Sequence, residues 1–149
     1  MTTRTSDLHA LGTTLLRVIV GVTFAAHGAQ KLASFGIGGT AGFLGSLGVP
    51  MANVMAPVLI ATELVGGLLL VLGLLTRYVS IPLMFTMVVA IATVHLQHGF
   101  FAPQGYEFPL LLGVGTLTLA LQGAGVFALD NLIGKRRRSA SNEAFQRAA

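Results

Sequence analysis

Four apolar segments follow one another along the chain, separated by polar or glycine-containing stretches. Each is close to the ~20 residues that a helix needs to cross the hydrocarbon core of a bilayer. They run near residues 11–33, 52–75, 78–97 and 108–129. Charged residues are rare within these segments, so the pattern predicts an all-α fold, a four-helix transmembrane bundle.

The division of the chain follows from these segments. At 149 residues there is room for one domain. We predict a cytoplasmic N-terminus over 1–10, a membrane domain over 11–131 and a basic cytoplasmic tail over 132–149. The longest linker, 34–51, is Gly-rich and uncharged. Because Arg17 interrupts the first segment and three spans follow it, we interpret that segment as a retained helix and not a cleaved signal peptide.

The composition supports a membrane protein. Asp, Glu, Lys and Arg make up 9% of the chain, against about 25% in soluble domains, and this is too little charge for the surface of a soluble domain. The apolar fraction is 54%. The chain has no Cys, which excludes disulfide exchange, covalent haem attachment and Cys-ligated clusters within it.

Positive charge falls on one side of the predicted bundle. Arg4, Arg77 and the run Lys135–Arg138 lie on the side of the termini, whereas the loops 34–51 and 98–106 hold no Lys or Arg. Cytoplasmic loops carry the excess of Lys and Arg, so we predict that both termini face the cytoplasm. The basic run follows an apolar segment directly, which indicates contact with anionic membrane lipid and no nucleic-acid partner.

Ionisable side chains within the spans are the candidates for chemistry, because such groups are costly in a bilayer and face the bundle interior. At ~1.5 Å per residue from the inner end of each span, Glu63 lies about 18 Å deep, His27 about 24 Å and His95 about 25 Å. Three helices therefore place these groups at similar depths. A shell of polar residues lies just outside them. It consists of Lys31, His98, Tyr106 and Glu107.

These positions predict a single site in the outer half of the bundle. His27 and Lys31 are four residues apart and share a helix face. We predict that Glu63 is buried and paired with His27 or Arg17. We also predict that the main cavity opens in the outer half. Its predicted lining, a set of ligand-binding or proton-relay candidates, is His27, Lys31, Glu63, His95 and Glu107.

A structural interpretation stands beside the functional one. Glu63 is as well explained by a structural hydrogen bond or ion pair as by a functional role. Arg17 is the candidate for a structural cation, with Asp130 as its ion-pair partner. Three glycines after Glu63 allow a neighbouring helix to approach closely. They are Gly66, Gly67 and Gly73.

Metal and haem sites are alternatives that the residue types leave open. Two His and two carboxylates form a reasonable ligand set for a first-row metal ion, and His27 with His95 would suit axial haem ligation at matched depth. No HxxxH or ExxH motif and no other haem signal accompanies them. We therefore predict no metal site and no cofactor evident in the sequence.

Several short motifs occur in a fixed order over residues 11–131. They are LLRVIVGVTFAAHGAQKL, ELVGGLLLVLGLLTR, HGFF, YEFPLLL and GAGVFALD. Their order and spacing resemble the DoxX family of bacterial membrane proteins, in which Ser usually precedes the Asp of the last motif. The resemblance implies a four-helix bundle in the bacterial cytoplasmic membrane. It also implies a link to sulfur and respiratory redox chemistry, since the family is related to a membrane subunit of thiosulfate:quinone oxidoreductases. The positions that match its polar motif positions are Arg17, His27, Lys31, Glu63, His95 and Glu107.

Three hypotheses for function remain open at this point. The first is a membrane subunit of a redox assembly, with a site for a quinone or another small molecule and with electrons supplied by a partner or a bound cofactor. The second is a non-enzymatic anchor or assembly factor for a soluble redox or stress-response enzyme. The third is a small transporter acting as an oligomer, for which the absence of an inverted repeat is unfavourable. A protein partner or a homo-oligomer is expected in each case.

Overall fold

The computed structural model describes the backbone of residues 2–134 and the side chains of residues 7–134. The predicted basic tail and the side chain of Arg4 lie outside the described residues. Within the described range the chain is helical and contains no strand, which confirms the all-α membrane bundle. The helices are α1 Thr2–Gln30, α2 Gly36–Ser46, α3 Ala52–Leu72, α4 Thr76–Ala90 and α5 Glu107–Gln122.

The Gly-rich segment predicted as a linker is helical. A π-helical turn, Lys31–Phe35, joins α1 to α2, and Gly36 at their junction has a φ of 66°. Glycine is a poor helix former, but α2 is held by packing, since Ala41 and Leu44 form a buried cluster with Ala56 of α3. Tertiary contacts therefore override the local preference of this segment for a loop.

Three helical stretches are long and apolar enough to cross a membrane. They are Asp7–Ser46, Ala52–Leu72 and Thr76–His98. The last includes a π-helical turn, Ile91–His95, and a 3-10 turn, Leu96–His98, after α4. The helix of the fourth predicted span, α5, ends at Gln122 and not near residue 129. Two glycines with positive φ, Gly123 and Gly125, turn the chain there. Residues 129–134 are helical again.

The bundle consists of two closely packed helix pairs. α1 packs mainly against α3 and α4 mainly against α5, whereas fewer contacts join α3 to α4 and α1 to α5. A buried apolar core lies between the pairs. It contains Val20, Phe24, Leu70, Leu83, Met87, Leu112 and Leu119.

Glycines bring the backbones of α1 and α3 into direct contact. A Cβ added at Gly67 would lie 2.6 Å from the carbonyl oxygen of Gly21 and would also meet the backbone nitrogen of Ala25. A Cβ added at Gly28 would lie 2.8 Å from the Cα of Leu64. The close approach predicted for Gly67 is therefore confirmed, whereas Gly66 faces a side chain of α4, that of Leu83.

The bundle has two ends, the terminal end and the loop end. The terminal end holds residues 2–10, 73–76 and 123–134, and hydrogen bonds from Thr13 to Gln122 and from Thr76 to Asp130 join its parts. The loop end holds residues 31–51 and 95–107.

The positive charge at the terminal end leads us to expect that it faces the cytoplasm. The natural chain has no Cys, so single cysteines can be introduced at Ser46, at the loop end, and at Ser141, beyond the described residues. With a membrane-impermeant maleimide on intact cells, we expect Ser46→Cys to be labelled and Ser141→Cys to be labelled only after the cells are lysed. Labelling of both variants from outside would contradict this orientation.

Candidate functional site

Glu63 lies near the middle of α3 and forms a buried ion pair. Its side chain is 4% exposed, and its carboxylate accepts a hydrogen bond from the Lys31 ammonium at 2.5 Å. The prediction that Glu63 is buried and paired is confirmed, but the predicted partners, His27 and Arg17, are wrong. The cause lies in side-chain direction. Helical side chains point towards the N-terminus of their helix, so the long Lys31 side chain reaches from the end of α1 back to the depth of Glu63.

Lys31 has one ion-pair partner and a partly exposed side chain. Its side chain is 25% exposed, and of its three N–H donors the structure assigns one to Glu63. It is the first residue of the π-helical turn that follows α1, and π-helical turns occur frequently at functional sites. The ammonium therefore has donors free for a further ligand.

His27 lies at the surface of α1, next to the start of α5. It lies two turns after Val20, on the same face of α1, yet Val20 is buried and His27 is exposed. The His27 ring lies against the ring of Phe108, at the start of α5, with 5.9 Å between centroids. His27 thus lies on the exposed surface of the bundle, beside the start of α5.

His95 and Glu107 hold the loop of residues 99–106. The Nδ1 atom of His95 lies 2.7 Å from the carbonyl oxygen of Gln104, and the Glu107 carboxylate accepts a hydrogen bond from the backbone N–H of Ala102 at 2.8 Å. Aromatic rings pack within the same loop, where Phe100 contacts both Phe101 and Tyr106 edge to face. The side chains of His95 and Glu107 thus both hydrogen-bond to backbone. The Nδ1 atom of His98 lies 3.0 Å from the carbonyl oxygen of Val94.

The predicted site residues therefore occupy three neighbourhoods. Lys31 meets Glu63, His27 meets Phe108, and the pair His95 and Glu107 meets the loop. Among the side chains of residues 7–134, no three His, Asp or Glu come close enough together to hold a metal ion.

Arg17 and Asp130 lie at the terminal end, but they do not form the predicted direct ion pair. Arg17 is 1% exposed and donates through Nη2 to the carbonyl oxygen of Phe127. The Asp130 carboxylate instead accepts hydrogen bonds from the N–H groups of Leu75 and Thr76, at 2.8 and 3.0 Å. Within the described residues, the one ion pair is Lys31 with Glu63.

Asp130 acts as a helix cap supplied from a distant part of the chain. Leu75 is the N-cap of α4 and has a φ of 53°, and the first N–H groups of a helix have no partner within it. The carboxylate satisfies two of them, and its negative charge also suits the positive end of the helix dipole. The signal in the sequence was the acidic residue in the GAGVFALD motif, but nothing local pointed to α4 as its partner.

The larger of two described cavities also lies at the terminal end. It encloses about 490 Å³ between the starts of α1 and α4 and the end of α5. The second, about 240 Å³, is a groove along Ala92, Thr93, Leu96 and Gln97 near the loop end. Neither cavity has the lining predicted for a main cavity in the outer half, which is His27, Lys31, Glu63, His95 and Glu107. In the outer half, Lys31 pairs with Glu63, and His95 and Glu107 hydrogen-bond to backbone.

Comparison with known proteins gives consistent matches. The family model described as DoxX matches residues 12–96. A Bacillus subtilis protein provisionally named as the oxidoreductase CatD is 40% identical over 129 residues, which cover 87% of this chain and 92% of that protein. The inner membrane protein YqjF of Escherichia coli is 31% identical over 134 residues, covering 87% and 97% of the two chains. No solved structure matches.

Proposed function

The chain belongs to the DoxX family of membrane proteins, and we propose that it is the membrane subunit of a redox assembly. In this proposal it binds a quinone or a similar lipid-soluble molecule at the loop end. The observation that carries the proposal is the buried ion pair of Lys31 and Glu63. An ionised pair within a membrane span is expensive, and one of its members keeps donors that no neighbour uses.

The residues at the loop end fit the chemistry of a quinone. A bound quinone supplies an acceptor for two electrons and two protons, and its two carbonyl oxygens need hydrogen-bond donors. Lys31 offers an ammonium that is 25% exposed and hydrogen-bonded to one carboxylate oxygen. His27 offers a second donor, and the ring of Phe108 beside it offers an apolar face.

The proton route follows from the same contacts. Reduction of a quinone to a quinol takes two electrons from the partner and two protons. Lys31 donates one proton to the nearer carbonyl oxygen, and Glu63, at 2.5 Å from the ammonium, holds Lys31 in the charged form that donates it. The exposed His27 donates the second proton to the other carbonyl oxygen. The exposed position of His27 on the surface of the bundle gives a molecule in the bilayer lateral access.

Electrons come from elsewhere in this proposal. The chain has no Cys, so neither a dithiol nor a Cys-ligated cluster supplies them from within it. A partner protein that carries a reduced cofactor is required, and the provisional name of the Bacillus subtilis relative agrees with a redox role. We expect the protein in the bacterial cytoplasmic membrane, with both termini inside.

A non-enzymatic anchor or assembly factor is the second candidate function. One observation favours it: His95 and Glu107, two of the predicted relay residues, bind the backbone of their own loop. In that case the Lys31–Glu63 pair would fix the position of α1 against α3 and would have no ligand. A transporter has no comparable support.

The test measures bound quinone directly. Protein is purified from bacterial membranes in mild detergent, and the quinone that stays with it is extracted and counted per chain by chromatography. We expect a stoichiometric amount with the natural protein and about tenfold weaker retention in two variants. His27→Leu loses a hydrogen bond to a carbonyl oxygen, and Glu63→Gln no longer holds the Lys31 ammonium in place by an ion pair. Thr23→Val on the same helix is the control, since its hydroxyl bonds only to the carbonyl oxygen of Ile19.

Two results would contradict the proposal. The natural protein would retain no more quinone than the surrounding lipid accounts for, and an added short-chain quinone would not bind to it in nanodiscs. The anchor function would then be the better explanation.

A further inference from the structure

The cavity at the terminal end is separate from the proposed redox site and has its own chemistry. From its charge and its surroundings we propose that it binds the headgroup of an anionic phospholipid. Its volume of about 490 Å³ falls in the range of small-molecule sites, about 300–1,000 Å³. The residues that matter for the argument are His9, Thr13, Thr76, Arg77, Gln122 and Asp130, all in its lining.

Arg77 supplies the positive charge. It is exposed, and its guanidinium makes one long hydrogen bond, 3.5 Å from Nη2 to the carbonyl oxygen of Gln122. Within the described part of the chain no carboxylate lies within ion-pair distance of it. A guanidinium presents several donors in a fork that matches a phosphate group. Arg77 therefore faces the cavity with most of its capacity for binding an anion unused.

The negative charge in the lining does not cancel this cation. Both oxygens of Asp130 accept hydrogen bonds from the first N–H groups of α4, so its acceptors are already used and its charge lies at the positive end of that helix. Thr76 adds a further polar group, because its hydroxyl oxygen is buried and has no hydrogen-bond partner among the described residues. His9, which is exposed in the same lining, adds a second cationic group when protonated.

The surface beside the cavity favours a lipid over a soluble phosphate compound. Four apolar or aromatic side chains of α4 form a stripe that begins at the cavity lining, and each is more than half exposed. They are Tyr78, Ile81, Phe85 and Val88. Their spacing of three or four residues keeps them on one face. A headgroup in the cavity would thus continue into an acyl chain along this stripe, with Tyr78 at the level of the membrane interface.

The experiment uses native mass spectrometry of the purified full-length protein with added phosphatidylglycerol or phosphatidylcholine. We expect the natural chain to retain phosphatidylglycerol in preference to phosphatidylcholine. Arg77→Gln should bind it about tenfold more weakly, and Ala10→Phe, which fills the cavity, should have a similar effect. Arg77→Lys should fall between, because it keeps the charge and loses the fork. Thr23→Val, whose hydroxyl bonds to the carbonyl oxygen of Ile19 and lies outside the cavity lining, should bind normally.

A second arm separates the two sources of a phosphate group. Inorganic phosphate is added as a competitor, and thermal stability is followed at the same time. Failure of phosphate to displace the lipid supports a lipid site, whereas full displacement with thermal protection by phosphate alone supports a phosphate site for a soluble ligand and overturns the lipid assignment. Equal binding of both lipids overturns the proposal. So does phosphatidylglycerol binding that is unchanged in both Arg77→Gln and Ala10→Phe.

Discussion

Gly67→Ala should destabilise the bundle more than any other single methyl group added to a helix interior. The new Cβ would lie 2.6 Å from the carbonyl oxygen of Gly21 and 2.9 Å from the Cα of Ala25. These atoms are backbone and cannot rotate away, so α1 and α3 must move apart along their whole contact. Overpacking of a well-packed core costs about 1–3 kcal/mol and occasionally more, and we expect at least the upper end of that range here.

Gly12→Ala is the matched control on α1. Nothing lies within 4 Å of a Cβ at Gly12, so we expect no loss and a gain of about 0.5–1 kcal/mol from helix propensity. Both variants are compared by the temperature at which the detergent-solubilised protein leaves its monodisperse gel-filtration peak. Equal midpoints for the two variants would show that α1 and α3 are not in backbone contact.

Among substitutions that remove one charge, Glu63→Leu should cause the largest loss of stability. It leaves the Lys31 ammonium partly buried without its counter-ion. Removing one partner of a buried ion pair costs about 3–5 kcal/mol, and because Lys31 is 25% exposed we expect a smaller loss, about 2–3 kcal/mol. Glu63→Gln keeps a hydrogen-bond acceptor and should cost less stability while still losing quinone retention.

The double variant Lys31→Met with Glu63→Leu tests whether the stability lost by Glu63→Leu comes from the broken ion pair or from the new side chain at position 63. Replacement of both charges by apolar groups of similar size is often close to neutral, so we expect the double variant to recover most of the stability lost by Glu63→Leu. Thermal unfolding of the natural protein, both single variants and the double variant gives the coupling energy. Losses that simply add would contradict a direct interaction.

The fold was predictable because it rests on long-range composition. Twenty-residue apolar runs with few charges have few outcomes other than membrane helices, and the glycine at position 67 could be recognised as a packing residue. The helix α2 could not, since Gly36–Ser46 has weak local preference and becomes helical only by packing Ala41 and Leu44 on α3.

The sequence predicts which residues have polar roles better than it predicts which residues contact one another. Depth along a straight helix predicts Glu63 near His27, but a depth estimate does not include the direction and length of the Lys31 side chain. The sequence predicts that His95 and Glu107 line one cavity in the outer half, because it does not reveal that the 99–106 loop folds back and hydrogen-bonds to both side chains. The same limit applies to Asp130, whose partner lies 55 residues away in the chain, at Leu75.

The burial of Arg17 also has a consequence for how the protein is made. Its acceptor, the carbonyl oxygen of Phe127, follows it by 110 residues, and synthesis proceeds from the N-terminus. While α1 and α3 leave the translocon, this guanidinium has no such acceptor, and an unpaired charge within the bilayer is costly. The contact forms only when the last helix has entered the membrane. A nascent chain that stops before Phe127 therefore lacks this acceptor for the Arg17 guanidinium.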